Sequence, residues 1–124
     1  MSDYHVKYYR NSRTGKEPVL EYITRLRDKE QTKIASYIVL LQKREGKLVF
    51  PYCRHIEGKI WELRIQFSPN NHRILYDALA DKLIVLLHAF AKKTEKLPTQ
   101  ELTQAYNNFE DTLDNINYYY EKTN

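Results

Sequence analysis

Cysteine is nearly absent. Cys53 stands alone, which excludes an internal disulfide and fits a reducing compartment. Three glycines and four prolines are too few for a collagen-like, low-complexity or linker-rich chain. No long hydrophobic run occurs. The longest, Leu83–Leu87, resumes beyond His88 at Ala89 and Phe90, far short of the roughly 20 residues that span a bilayer. The opening MSDYHVKYYR has no apolar core segment, so the expectation is a cytoplasmic chain without a secretory leader or a membrane partner. GxxxxGK, GxGxxG and GxSxG loops are all missing, which argues against the nucleotide sites and the nucleophile elbow built on them. Cys53, His55 and His72 lack CxxC or HxxxH spacing, so neither a metal nor a cofactor is expected.

What is present can fold. Hydrophobic residues make up 42% of 124 residues, enough for one modest core and a single domain over 1–124. Charge is unevenly placed. Residues 1–100 hold 19 Lys and Arg against 11 Asp and Glu, whereas residues 101–124 hold one against five. A basic body favours a polyanionic partner, or is simply a solvated surface.

Periodicity divides the chain. Tyr4–Arg10 alternates as a first strand. Pro18 suits a first helical turn, and Val19, Tyr22, Ile23 and Leu26 form one stripe. A second helix runs from Asp28, which can cap it, to Arg44, with Gly46 as the left-handed stop. LVFPYCRHIEG reads as irregular or as a short edge strand, because Pro51 argues against a central one. IWELRIQF then sends Trp61, Leu63, Ile65 and Phe67 one way and Glu62, Arg64 and Gln66 the other. SPNN turns into HRILYDAL, an antiparallel hairpin. LIVLLHAF is apolar on both faces and reads as the central or best-covered strand. From Pro98 one helix carries a continuous stripe of Leu102, Ala105, Phe109, Leu113, Ile116 and Tyr120. The order β-α-α-β-β-β-α gives an α+β fold, an antiparallel sheet with helices packed on one side.

Three features invite chemistry. Arg64 and Arg73 can share one open sheet face as a fixed-charge cradle for phosphate, since a guanidinium offers two parallel donors and keeps its proton. HAFAKK delivers Lys92 and Lys93 to the neighbouring strand end. The plainer alternative makes Glu62–Arg64 and Arg73–Asp77 ordinary ion pairs. His88 suits a buried, hydrogen-bonded role better than a catalytic one. Tyr118–Tyr120 looks like a base-stacking platform, but its acidic surroundings favour helix packing or protein contact.

W-E-L-R at Trp61–Arg64, R-x-x-Y at Arg73–Tyr76 and L-L-H-x-F-x-K-K-x-x-K-x-P from Leu86 to Pro98, with Glu101 and Ala105 beyond, resemble the HigB-like, phage-derived-protein branch of the RelE/ParE toxin superfamily. The resemblance implies a RelE-like α+β fold. Its sheet would be antiparallel or mixed, with four to five strands, an N-terminal helical hairpin and a C-terminal helix. It implies the toxin of a type II toxin–antitoxin system, an mRNA endoribonuclease acting in the ribosomal A site. The partner would be a HigA-like helix-turn-helix antitoxin, with DNA reached only through that antitoxin. By motif position, Arg64 and Arg73 would stabilise phosphate charge, with Lys93 nearest the chemistry. Tyr76 and His88 would position groups or move protons, and Lys92, Lys96 and Gln66 would hold RNA. Better-known RelE members carry lysines where this chain has Ile60 and Glu62, which leaves the general base open. ParE-like relatives share the fold but poison DNA gyrase by binding; a third reading is an inactive phage-derived binding module.

Overall fold

A computed structural model describes residues 3–79, 81–94 and 96–121. The elements are β1 (His5–Tyr8), α1 (Pro18–Thr24), α2 (Asp28–Lys43), β2 (Cys53–Glu57), β3 (Ile60–Phe67), β4 (Asn70–Leu79), β5 (Leu83–Ala91), α3 (Thr99–Asp114) and α4 (Ile116–Glu121). The α+β class is as expected. The five strands form one mixed sheet in the order β1-β5-β4-β3-β2. β1 runs parallel to β5, and the other neighbours are antiparallel. β5 is interior, with Leu83–Leu87 buried, but β4 holds the centre.

Helices cover both sheet faces, not one. α1 and α2 bring Val19, Ile23, Ile34 and Leu41 onto Leu63, Ile65, Ile74, Tyr76 and Leu86. The opposite face packs Leu75, Val85, Leu87 and Phe90 against Ala105 and Tyr119 of α3 and α4. The doubly apolar β5 requires this, because a strand apolar on both sides needs cover on both. Each fully buried Leu or Ile contributes about 1.5–3 kcal/mol.

Local details depart from the sequence reading. Asp28 is the first residue of α2 and makes no capping bond with its side chain; Arg27 occupies the cap. Gly46 does take a positive φ of 83°, and an added Cβ would meet Ala78 at 3.3 Å. The C-terminal helix breaks at Asn115, whose side-chain amide donates back to the Asp111 carbonyl at 2.9 Å. That break ends the continuous stripe: Leu113 is 45% exposed, while Tyr119 is buried and its hydroxyl accepts from the Arg10 amide at 3.0 Å. Tyr118 packs its ring under the Arg10 guanidinium. The tyrosine run therefore serves helix packing.

A β-bulge interrupts the β4–β5 ladder. Leu75 faces His88 while Tyr76 faces Leu86, leaving Leu87 as the extra residue. Side chains alternate along a strand, so one extra residue exchanges the faces beyond it. Before the bulge Ile84 and Leu86 join the α1/α2 core; after it Phe90 joins the α3 core.

Asp77 on β4 is buried, with one carboxylate oxygen that has no hydrogen-bond partner among the described residues. Burial pushes its carboxyl up to about 6, with Lys59 opposing. A folded-state value above the unfolded one means that ionisation opposes folding. The penalty grows from about pH 4 and levels off above about pH 6. Asp77→Asn is expected to raise the urea midpoint at pH 7.5, by an increment that shrinks on acidification to pH 5. A midpoint unchanged at both pH values would show that the ionised group carries no such cost.

Candidate phosphate-binding cradle

β2, β3 and β4 place a row of charge on the face that α3 partly covers. Arg54 lies opposite Glu62, and Arg64 lies opposite Arg73. Glu62 and Arg64 are two residues apart on β3, so they share a face. Phe90 pairs with Arg73, and the bulge brings Lys92, two residues on, to the same side. The Lys92 amide donates to the Asn71 carbonyl at 2.8 Å, which fixes the chain as it leaves the sheet.

These side chains converge on one buried carboxylate. Glu62 is 0% exposed. Its Oε1 lies 3.0 Å from Arg64 Nη1 and 3.6 Å from Arg54 Nε, and its Oε2 lies 3.8 Å from Arg73 Nε. Only the Arg64 contact is a hydrogen bond. Among the described residues, Arg54 Nε, Arg73 Nε and Glu62 Oε2 are buried without a hydrogen-bond partner. Arg73 Nη1 donates to the His72 carbonyl at 3.0 Å. Above them opens a cleft of about 440 Å³, walled by Arg54, Arg64, Arg73, Lys92, Lys93 and the ring of Phe50, among others. Five cations thus line the cleft over the buried Glu62, and among the described residues two guanidinium N–H groups have no hydrogen-bond acceptor. An oxyanion entering the cleft would supply negative charge that Glu62 alone does not.

The crowding is visible in proton affinities. Burial lowers Lys92 below the usual lysine range; Glu62 opposes this, while Arg73, Arg54 and Arg64 add to it. Arg73 is lowered by burial and then by Arg64, with Glu62 opposing, yet a guanidinium remains charged.

The sequence-derived residues fall into different places. Arg64, Arg73, Lys92 and Lys93 meet in the cleft, with Lys92 buried and Lys93 exposed. Gln66 is exposed beside an adjoining hollow shared with Tyr37, Tyr52, Arg64 and Arg73. Lys96 is exposed and does not itself line the cleft, but its carbonyl accepts from the hydroxyl of Thr94, which does, at 3.0 Å. Tyr76 lies fully buried on the opposite face, where its hydroxyl donates to the Gly46 carbonyl at 2.9 Å and sits 3.2 Å from Cys53 Sγ. Its work is to tie the end of α2 to β4. His88 bonds Glu101 at 2.5 Å and lines a separate cleft with Tyr9 and Asn108. The bulge side of β5 takes it there. Of the two ion pairs, Glu62–Arg64 forms, whereas Arg73 turns to Glu62 and leaves Asp77 without it. Cys53, His55 and His72 bond separately to Tyr76, the Gly58 carbonyl, and Tyr22 with Glu30.

Sequence reasoning missed Arg54 and Phe50, because Pro51 made their segment look irregular. It also missed the trio of Tyr22, His72 and Glu30. The Tyr22 hydroxyl meets His72 Nδ1, and His72 Nε2 meets Glu30, both at 2.6 Å. The bond to His72 holds the Glu30 carboxyl below its usual range. The trio pins α1 and α2 to the strand that carries Arg73.

The fold and cleft define a class: a small, basic α+β domain with a cation-lined cleft on its sheet. Residues 21–110 match the family described as Phage derived protein Gp49-like (DUF891), and the chain belongs to it. That family is toxin-like and related to the RelE/HigB-type toxins. Comparison with curated proteins returns no match.

Removing the central charge tests the cradle. Breaking a fully buried pair costs about 3–5 kcal/mol. Arg54 and Arg64 reach water, so Glu62→Gln is expected to cost less, about 2–3 kcal/mol by urea denaturation. Inorganic phosphate should raise the variant's midpoint more than the wild type's at equal ionic strength. Equal midpoints without phosphate would deny Glu62 its role as counter-charge.

Proposed function

We propose that this protein is the toxin of a type II toxin–antitoxin pair and cleaves mRNA in the ribosomal A site. Cytoplasmic translation is its setting, and a HigA-like helix-turn-helix antitoxin neutralises it. The reading is carried by one observation: Arg54, Arg64, Arg73, Lys92 and Lys93 line one open cleft over the buried Glu62. Membership of a toxin-like family supports it.

The chemistry follows from what the cleft offers. The RNA 2′-oxygen attacks the adjacent phosphorus, the P–O5′ bond breaks, and a 2′,3′-cyclic phosphate and a 5′-hydroxyl result. Negative charge grows on the non-bridging oxygens, where Arg54, Arg64 and Arg73 act as preorganised donors. Lys92 is the acid for the departing 5′-oxygen, because a desolvated ammonium gives up its proton more readily than an exposed one. Lys93, exposed at the rim, holds the backbone as a flexible point charge. Tyr76 and His88 take no part, given their distant partners. The 2′-hydroxyl proton passes to water or to a ribosomal group. An antitoxin that places carboxylates on the cradle would silence it by occupying the phosphate's place. In a ParE-like, gyrase-binding role the same cations would meet protein carboxylates instead of phosphate.

Expression of the chain alone should arrest bacterial growth and create new 5′ ends within translated codons, read by primer extension. Arg73→Ala should stay folded and lose about 100-fold or more in cleavage. Lys92→Arg should keep RNA affinity and lose turnover, since arginine does not give up a proton. For the wild type, cleavage should fall as pH rises through the Lys92 value, which lies below 10.5. Intact mRNA with trapped gyrase–DNA complexes would award the function to the ParE-like alternative.

A further inference from the structure

Val49, Phe50 and Tyr52, between α2 and β2, are 75%, 67% and 43% exposed. Large apolar side chains this exposed, side by side, mark a contact surface. The segment is not slack. The Tyr52 amide donates to the Val49 carbonyl at 2.9 Å, and the Tyr52 carbonyl accepts from the Arg64 amide at 2.9 Å. The turn is therefore fastened to the strand that carries the cradle. Phe50 walls the cationic cleft, and the Arg64 guanidinium lies 5.3 Å from its ring centre. On the other side of Arg64 and Arg73, Tyr52 and Tyr37 line the adjoining hollow, with their rings edge to face at 5.9 Å. Arg64 and Arg73 border both hollows.

We infer that the Val49–Tyr52 turn is a nucleobase platform: an unpaired base of single-stranded RNA stacks on Phe50 while its neighbouring phosphate sits on Arg64 and Arg73. This rests on the RNA-cleaving reading and adds the element that admits single strands. Charge chooses the occupant. A phosphate-bearing aromatic ring complements a cleft with five cations and one exposed ring, and an apolar protein segment would bury those cations unpaired. A duplexed base has no free face for Phe50, so the platform favours unpaired RNA. Stacking accepts any base, which predicts weak base preference at this position.

The test uses the full chain and a short 2′-O-methyl RNA, which binds but cannot be cut, in three forms: single-stranded, single-stranded with one abasic position, and duplexed. Phe50→Ala removes a ring that belongs to neither core, so the fold is unaffected. It should weaken single-strand binding about 5- to 150-fold. Its salt dependence should match the wild type's, because no phosphate contact is lost. Arg73→Ala should flatten that dependence. The abasic RNA should bind wild type and Phe50→Ala alike, and Phe50→Trp should restore affinity, with fluorescence quenched by the intact strand only. Binding that depends on Arg73 but is equal in wild type and Phe50→Ala would overturn the platform and leave the cradle standing. Loss of antitoxin neutralisation in Phe50→Ala, at unchanged RNA affinity, would overturn it in favour of a protein-binding turn. No RNA binding by the wild type, with or without ribosomes, would overturn both readings.

Discussion

One buried carboxylate organises this molecule. Glu62 lies beneath Arg54, Arg64 and Arg73, and without it three guanidinium groups would crowd one sheet face with no counter-charge. With it, the cluster is held together but not satisfied. Among the described residues, two guanidinium N–H groups and a carboxylate oxygen keep no hydrogen-bond partner. Such groups cost free energy in the resting protein. Charge that a phosphate would bring into the cleft above, on the proposed function, would offset that cost. The same carboxylate that assembles the donors leaves them short of an acceptor.

Rigidity comes from the frame around the cluster. The Arg73 side chain is anchored to the His72 carbonyl, and the His72 ring is fixed in turn by Tyr22 and Glu30. The helical hairpin thus reaches the arginine through the backbone of one strand. From the other side the Lys92 amide is tied to Asn71. Preorganised donors act without reorganising as charge develops, which is what phosphoryl chemistry needs from a protein.

Much of this was legible in the sequence. The α+β class, the β3–β4 hairpin and the convergence of Arg64 with Arg73 follow from alternation and turn chemistry. Two kinds of feature were not. A bulge has no signature in HAFAKK, and strict alternation from Leu83, Val85 and Leu87 would put Lys93, not Lys92, on the cradle face. The structure buries Lys92 there because Leu87 is the extra residue. The second kind is long-range pairing. Arg54 comes from a strand that its own segment hardly announces, and Tyr76, inside a motif beside Arg73, points the opposite way. A motif fixes which residues occur, and strand parity decides which of them meet.

The Nε–Hε groups of arginine can be followed individually by NMR, and that measurement addresses the account at its centre. On titration with short single-stranded 2′-O-methyl RNA, the Arg54 and Arg73 signals should shift together and saturate at one midpoint, as phosphate enters the cleft that their side chains line. Unmoved Arg54 and Arg73 signals, with shifts confined to the exposed surface around Lys93 and Lys96, would contradict it.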